Sequence, residues 1–394
     1  MTQGASQLQI NSQFDGGNIE CIDCTSAQNI RLSIKADHNS RFLQWFYFRL
    51  SGAKGLACKL HLSNADQGAF PSGWENYRAV ASYDREDWFR IDTHYTGEQL
   101  ILDIEPTQDF VYIAYFAPYS LERQASFVSK IALSPLVNIS ELGQTLDGRA
   151  LDKLTICSPN NAFDSASNSR KINCWIIARQ HPGETMAAWW MEGFLERLID
   201  SNDPVARQLL GKAVFNVVPN MNPDGSFRGH LRTNAAGINL NREWQDTTLE
   251  KSPEVFHVRK AMEKSGVDFC LDVHGDEALP HNFIAGAEGI PGWNEQLEQL
   301  NKRYQTALQQ ANPDFQTIYG YPLSAPGTAD LRICTNYIAE TFSCQAMTLE
   351  MPFKDSSHTP DQRYGWSPKR CQKLGAATLD ALFAVIDEIH AVRQ

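Results

Sequence analysis

The sequence predicts two domains: an N-terminal antiparallel β-sandwich, then an α/β domain built on a central mixed, largely parallel sheet flanked by helices. Three observations carry this. The 394 residues exceed what one ordinary hydrophobic core organises. Residues 11–119 read as a run of short strands with little helical pattern between them. Beyond Ser134–Pro135 the pattern changes, and apolar runs of strand length alternate with longer segments of helical period.

In the first part, strands are expected at Ile30–Ala36, Gln44–Leu50, Ala57–Ser63, Arg78–Tyr83, Trp88–Thr93, Gln99–Ile104 and Phe110–Phe116. Turn-forming stretches such as ADHNS, NADQGAFPSG and EPTQD separate them. The run Trp45-Phe46-Tyr47-Phe48 reads as a strand packed on both sides, in the sandwich core and against the next domain, rather than as a binding surface. Residues 1–120 form this domain, and 121–135 a connecting helix and linker. Residues 136–394 form the α/β domain. Its strands are expected at Leu154–Cys157, Cys174–Ala178, Ala213–Val218, Phe269–Val273, Asn282–Ile284 and Ala346–Met351. Helices are expected at Thr185–Ile199, Pro204–Leu210, Pro253–Ser265, Trp293–Gln310 and Pro368–Val392, the last with Ser367 as N-cap and Pro368 in its first turn.

Composition narrows the class. Hydrophobic residues make up 42% and charged residues 21%, as in soluble globular proteins. No apolar run approaches the roughly 20 residues of a bilayer span, and the first twenty residues lack the basic and apolar regions of a secretory signal. Nine cysteines without a paired framework fit reduced thiols in a cytoplasm; Cys21 and Cys24 form a CxxC with no second pair at zinc-ribbon spacing. A net charge of −11 opposes a nucleic-acid-binding surface. Neither nucleic acid nor membrane is expected as a partner, and an oligomer is compatible with the sequence.

The chemistry gathers at strand ends. CWIIARQ is an apolar strand followed by HPGE, so His181 and Glu184 leave one tight turn together. AVFNVVP is followed by NMNPDG with Asn222 and Asp224, DFCLDV by His274 and Gly275, and QAMTLEM carries Glu350 near its end. Open α/β sheets bind ligands beyond the carboxyl ends of their strands. Two histidines and one carboxylate make a zinc site with an open position, and a separate carboxylate is left for proton transfer. No G-x-S-x-G elbow or glycine-rich phosphate loop competes. In GHLRTNAAGINLNREW, Arg232, Asn241 and Arg242 concentrate anion-binding groups. An Asn–Arg pair can hold a terminal carboxylate while another arginine faces a developing oxyanion.

Taken in order, HPGE, NPDG, RTNAAGINLNR, DVHG and TLE resemble the zinc carboxypeptidases of the carboxypeptidase A superfamily, the M14 family. HPGE in place of HxRE, an all-β N-terminal domain and NPDG ahead of LNREW are similar to its cytosolic carboxypeptidase branch, which includes tubulin deglutamylases and many bacterial members. The resemblance implies one Zn²⁺ per chain on His181, Glu184 and His274, with Glu350 as general base. It also implies Arg232 as the group polarising the scissile carbonyl and Asn241 with Arg242 as the grip on the substrate's terminal carboxylate. The implied substrates are peptide or protein C-terminal tails, acidic ones included, for which Arg332 is the candidate cation in the side-chain pocket. Pancreatic-type members carry a mobile tyrosine ahead of the catalytic glutamate; Tyr319, Tyr321 and Tyr337 are all candidates here. Two rival functions stay open: an aspartoacylase-type zinc amidohydrolase acting on N-acyl amino acids, and a non-catalytic binding protein using the β-domain to hold a partner.

Overall fold

Strand residues that alternate between two apolar faces need a core on each side, and the Cys174–Ile177 run is such a sequence. The computed structural model describes residues 7–158 and 170–389. It places Cys174 and Ile176 in one buried cluster, and Trp175 and Ile177 in another on the opposite face.

The N-terminal part holds β1 (Gln9–Asn11), β2 (Glu20–Asp23), β3 (Ile30–Ser33), β4 (Tyr47–Ser51), β5 (Cys58–Leu62), β6 (Val80–Ser82), β7 (Phe89–Arg90), β8 (Asp92–Tyr95), β9 (Leu100–Ile104) and β10 (Phe110–Ala114). They form two five-stranded sheets, ordered β1-β4-β10-β6-β7 and β2-β3-β5-β9-β8. Pairing is antiparallel except between β3 and β5. The expected strand at Trp88–Thr93 is two strands, because Ile91 turns inward and its N–H bonds the Ala79 carbonyl. Trp45, Phe46, Tyr47 and Phe48 are all buried, as expected, but β4 begins only at Tyr47, so Trp45 and Phe46 lie ahead of the strand.

Helix α1 (Leu121–Ala132), N-capped by Ser120, leads into β11 (Val137–Gln144) and β12 (Ala150–Ile156). There follow β13 (Ile172–Ala178), α2 (Met186–Leu198), α3 (Pro204–Lys212), β14 (Ala213–Val218), α4 (Pro223–Arg228), α5 (Pro253–Ser265), β15 (Phe269–Val273), β16 (Phe283–Ala285), α6 (Glu295–Ala311), α7 (Cys334–Phe342), β17 (Gln345–Glu350) and α8 (Pro368–Ile389). The final residues expected in the last helix, 390–392, lie outside the described residues. The seven-stranded sheet runs β11-β12-β14-β13-β15-β17-β16. Its centre, β14-β13-β15-β17, is parallel, and the flanking pairs are antiparallel. Helices α2, α3, α6 and α8 share the core that continues into the sandwich, whereas α5 and α7 cover the other face. The two parts meet through apolar and polar contacts alike. Tyr115 stacks on Phe353 at 4.4 Å, and the buried Arg90 guanidinium donates to the carbonyls of Phe353 and Trp366.

Among the described residues no helix is long and apolar enough to cross a membrane. No disulfide joins any of the nine cysteines among the described residues.

Candidate metal centre and cleft

At the end of β13 the chain turns sharply. Arg179 adopts φ +57°, a left-handed conformation that side chains rarely take. Its buried guanidinium donates to the carbonyls of Tyr119 (3.0 Å) and Pro182 (2.6 Å), which holds the strained turn in place. Gly183 is needed because a Cβ there would stand 2.8 Å from the Leu231 carbonyl oxygen. Its N–H donates to that same oxygen. The turn thereby sends His181 and Glu184 inward, where both are buried.

His274 arrives from the neighbouring strand β15, since β13 and β15 pair in parallel register and end together. His181 Nδ1 lies 2.7 Å from Glu184 Oε1, and His274 Nδ1 lies 2.8 Å from Glu184 Oε2. The two Nδ1 atoms are 3.2 Å apart, and one donor atom from each residue falls within 4.8 Å of the others. Imidazole nitrogens and carboxylate oxygens converging this closely suit a cation with ligand bonds of about 2.1 Å. The outer ring nitrogens also have close neighbours, a hydrogen bond at His181 and an ion-pair contact at His274. His181 Nε2 is 3.0 Å from Asn239 Oδ1, and His274 Nε2 is 2.8 Å from Asp272 Oδ2. Such partners turn the inner nitrogens toward a metal. Gln180 secures Asp272 by donating from Nε2 (2.5 Å), and Trp244 Nε1 donates in turn to Gln180.

Electrostatics match the donor set at two of its three members. Burial alone would raise the Glu184 carboxyl, but the two imidazoles outweigh it and hold it well below the usual range. Burial, reinforced by the Arg232 charge, pushes His181 down to about 4, so its imidazole is a neutral donor at pH 7. His274 moves the other way: Asp272 and Glu184 overcome its burial and raise it.

Glu350, at the end of β17, is buried beside this cluster. The Tyr321 hydroxyl lies 3.2 Å from its Oε1, while Oε2 has no partner among the described residues. Burial, with the charges of Glu184, Asp276 and Glu277 nearby, raises this carboxyl well above its ordinary value against the opposing pull of His274. A buried oxygen without a partner is costly in a purely structural role and calls for a functional explanation.

These groups line one cavity of about 370 Å³, to which Arg232, Asn241 and Arg242 also contribute. Arg232 Nη1 stands 4.0 Å from Glu184. Asn241 and Arg242 lie on a 3₁₀ turn over Leu240–Arg242 that Asn239 caps. Asn241 Oδ1 accepts from the Cys334 N–H at 2.8 Å, and its carbonyl accepts from Arg242 Nη1 at 2.7 Å. Arg332 is not brought into the cavity. Its side chain is 59% exposed and is held in a bidentate pair by Asp330, its neighbour two residues back. Asn222 and Asp224 also stay outside. Asn222 caps α4, and Asp224 is buried against Arg149 and Thr145.

Of the three tyrosines, Tyr321 reaches the cavity, where its hydroxyl donates to Asp276 Oδ2 at 2.6 Å and stands 3.2 Å from Glu350 Oε1. Tyr319 stacks on His281, and Tyr337 packs near Trp244 and Arg259. Sequence reasoning passed over Asp272, Asp276, Glu277 and Glu288. The first three flank His274 in the run DVHGDE, an acidic density that was there to be noticed. Phe70 of the sandwich lines the cavity with no local signal at all.

A parallel-sheet domain with a His–Glu–His centre and a neighbouring carboxylate has the architecture of a metallohydrolase. The comparisons specify which. Residues 10–116 match the cytosolic carboxypeptidase N-terminal domain and residues 127–372 the zinc carboxypeptidase domain. The chain belongs to the zinc carboxypeptidase family and is a metallocarboxypeptidase. An uncharacterised protein of Zymomonas mobilis is 50% identical over 382 residues, covering 97% of each chain. Human cytosolic carboxypeptidase 1 is 27% identical across 71% of this chain, which spans only 26% of that longer protein. The metallo-carboxypeptidase of Burkholderia cenocepacia superposes with a TM-score of 0.93 at 47% identity, covering 97% of this chain and 100% of its own. The metallo-carboxypeptidase of Pseudomonas aeruginosa, solved with (2-guanidinoethylmercapto)succinic acid, gives 0.92 at 43% identity with the same coverage.

Proposed function

We propose that this chain is a zinc-dependent exopeptidase that removes the last residue of peptides or protein tails, with His181, Glu184 and His274 holding the metal. The observation that carries the reading is the convergence of those three donors beside Glu350, whose Oε2 has no partner among the described residues. When bound, the metal supplies a Lewis acid for the scissile carbonyl and acidifies a water molecule. Glu350, whose Oε2 is buried without a partner among the described residues, is placed to take a proton from water and return it to the leaving amine. Arg232 donates to the oxygen that gains charge. Asn241 and Arg242 hold the terminal carboxylate, the bidentate guanidinium matching its geometry. Tyr321 closes the side of the cavity next to Glu350.

Free thiols and the cytosolic carboxypeptidase relatives support a cytoplasmic setting. An acidic C-terminal residue draws support from that branch. It requires a cation for the substrate side chain, and the arginines lining the cavity are Arg232 and Arg242, both already assigned. A second reading, a cationic C-terminal side chain, is favoured by Glu288. Its carboxylate lines the cavity and accepts from the Asn301 amide at 3.0 Å, with no cation paired to it among the described residues. The guanidinium of the compound held by the Pseudomonas relative is consistent with this.

Zinc-loaded protein should release single C-terminal residues from peptides, and matched substrates ending in Glu, Lys or Phe choose between the two specificities. Hydrolysis of N-acetyl-aspartate in place of peptides would instead support the amidohydrolase. Failure on every peptide in a C-terminal library would return the chain to a binding role.

A further inference from the structure

We infer that the catalytic cleft is composite: Asp37 of the N-terminal sandwich is a positioning residue for Arg232, and Phe70 with Phe42 of the same domain form the surface on which its guanidinium rests. This depends on the role given to Arg232 above and adds the second domain to the machinery of that site.

Asp37 is buried, and its carboxylate gathers four donors from one segment of the catalytic domain. Oδ1 accepts from the Leu231 N–H at 2.6 Å. Oδ2 accepts from the N–H groups of Arg232 (2.8 Å) and Thr233 (2.9 Å) and from the Thr233 hydroxyl (2.9 Å). A carboxylate meeting successive backbone N–H groups fixes their direction, and charge-assisted bonds of this kind are stronger than neutral ones. The adjoining contacts run across the same boundary. Asn18 donates to the Gly229 carbonyl (2.9 Å), and the His38 N–H donates to His230 Nε2 (3.0 Å). Gly237, at φ +83°, leaves room for Asn39, whose carbonyl oxygen would lie 2.5 Å from any Cβ there. Every residue from 229 to 233 is therefore bonded to the sandwich, directly or through a neighbour's backbone or side chain.

The guanidinium itself meets the other domain as well. Its carbon lies 5.1 Å from the Phe70 ring centre and 5.8 Å from that of Phe42, within the range of cation–π attraction. An arginine facing a developing charge contributes only if it is already aimed, because reorientation during the reaction would cost what the bond returns. In the catalytic domain, Glu184 at 4.0 Å pulls this side chain toward the metal ligands. The aromatic pair and the Asp37-bound backbone hold it from the sandwich.

The test is a double-mutant cycle on the zinc-loaded full chain. Asp37→Asn keeps one acceptor oxygen and removes the charge. It should lower kcat on the order of 10²-fold, as misplacement of a catalytic group does, with KM and zinc stoichiometry near wild type. Added to Arg232→Ala, the same substitution should cost nothing further in kcat, since the group it positions is gone. Phe70→Leu, which keeps an apolar side chain and should fold even if Asp37→Asn does not, should show the same dependence on Arg232 with a smaller loss. Circular dichroism and melting temperature of each variant separate misfolding from mispositioning. Wild-type kcat in folded Asp37→Asn and Phe70→Leu, or losses that add fully to that of Arg232→Ala, would overturn the inference while leaving Arg232 in place. Near-native kcat in Arg232→Ala itself would instead remove the mechanism on which the inference stands, and the inference with it.

Discussion

The two halves of the cleft are built by different means. His274 and Glu350 sit at the ends of β15 and β17, and His181 and Glu184 on the turn that follows β13; these strands are neighbours in parallel register, so their ends meet, and the turn is tied down by the Leu231 and Tyr119 carbonyls. Arg232, Asn241 and Arg242 sit instead on the long connection between α4 and α5. That segment has no ladder of its own and takes its shape from Asp37, from the Cys334 N–H and from the loop bonds of Asn234. A sheet thus brings ligand-bearing strand ends together by its own register, whereas a substrate grip carried on a loop takes its shape from contacts with other segments.

Breaking each half should give different signatures. Glu350→Gln is the largest expected effect: turnover should fall on the order of 10⁴-fold, the upper range for general acid–base groups, with zinc still bound at one per chain by elemental analysis. Arg232→Ala should lower kcat by about 10²–10³-fold, like loss of a single oxyanion donor, with a small change in KM. Arg242→Ala sharpens the contrast, raising KM for peptides at least about tenfold and leaving kcat closer to wild type, because a terminal carboxylate is bound alike in ground and transition states.

The support under the loop can be probed through pH. Glu254 is buried and accepts from Asn234 Nδ2 at 3.3 Å, while Asn234 Oδ1 takes the N–H groups of Ala236 and Ile238. Burial pushes the Glu254 carboxyl up to about 7. The unfolded chain releases this proton near pH 4.5 and the folded chain only near 7, so folding stability should decline between those values and level off above. The loss is at most roughly 3 kcal/mol by the linkage of pKa to free energy. Glu254→Gln should flatten that slope in denaturant titrations at pH 5 and pH 8; an unchanged slope would mean that another group titrates. The smallest effect is expected from Arg332→Ala. Its guanidinium is paired with Asp330 in solvent, so kcat/KM for peptides ending in glutamate should stay within about twofold, as for exposed ion pairs generally.

What escaped the sequence reading has physical causes. Strand β11 was missed because it is an edge strand whose residues are mostly exposed, which leaves no apolar alternation to read. Strands β1 and β2 are short and exposed for the same reason. Helix α7 runs only nine residues without a side-chain cap, too little periodic signal to separate it from a loop. The stretch ADHNS reads as turn punctuation, and nothing local marks its Asp37 as a partner of residues nearly two hundred positions away.

The amino-acid sequence by itself determined the two fold types, the order of the central strands' chemistry and the candidate ligands at their ends. Those follow from hydrophobic period and from residue types at fixed offsets, which are local properties. Only the tertiary structure decided that Tyr321 rather than Tyr319 or Tyr337 meets Glu350, that Arg332 faces solvent, and that the sandwich reaches Arg232. Loop side chains are aimed by contacts with distant segments, and those contacts exist only once both domains have packed.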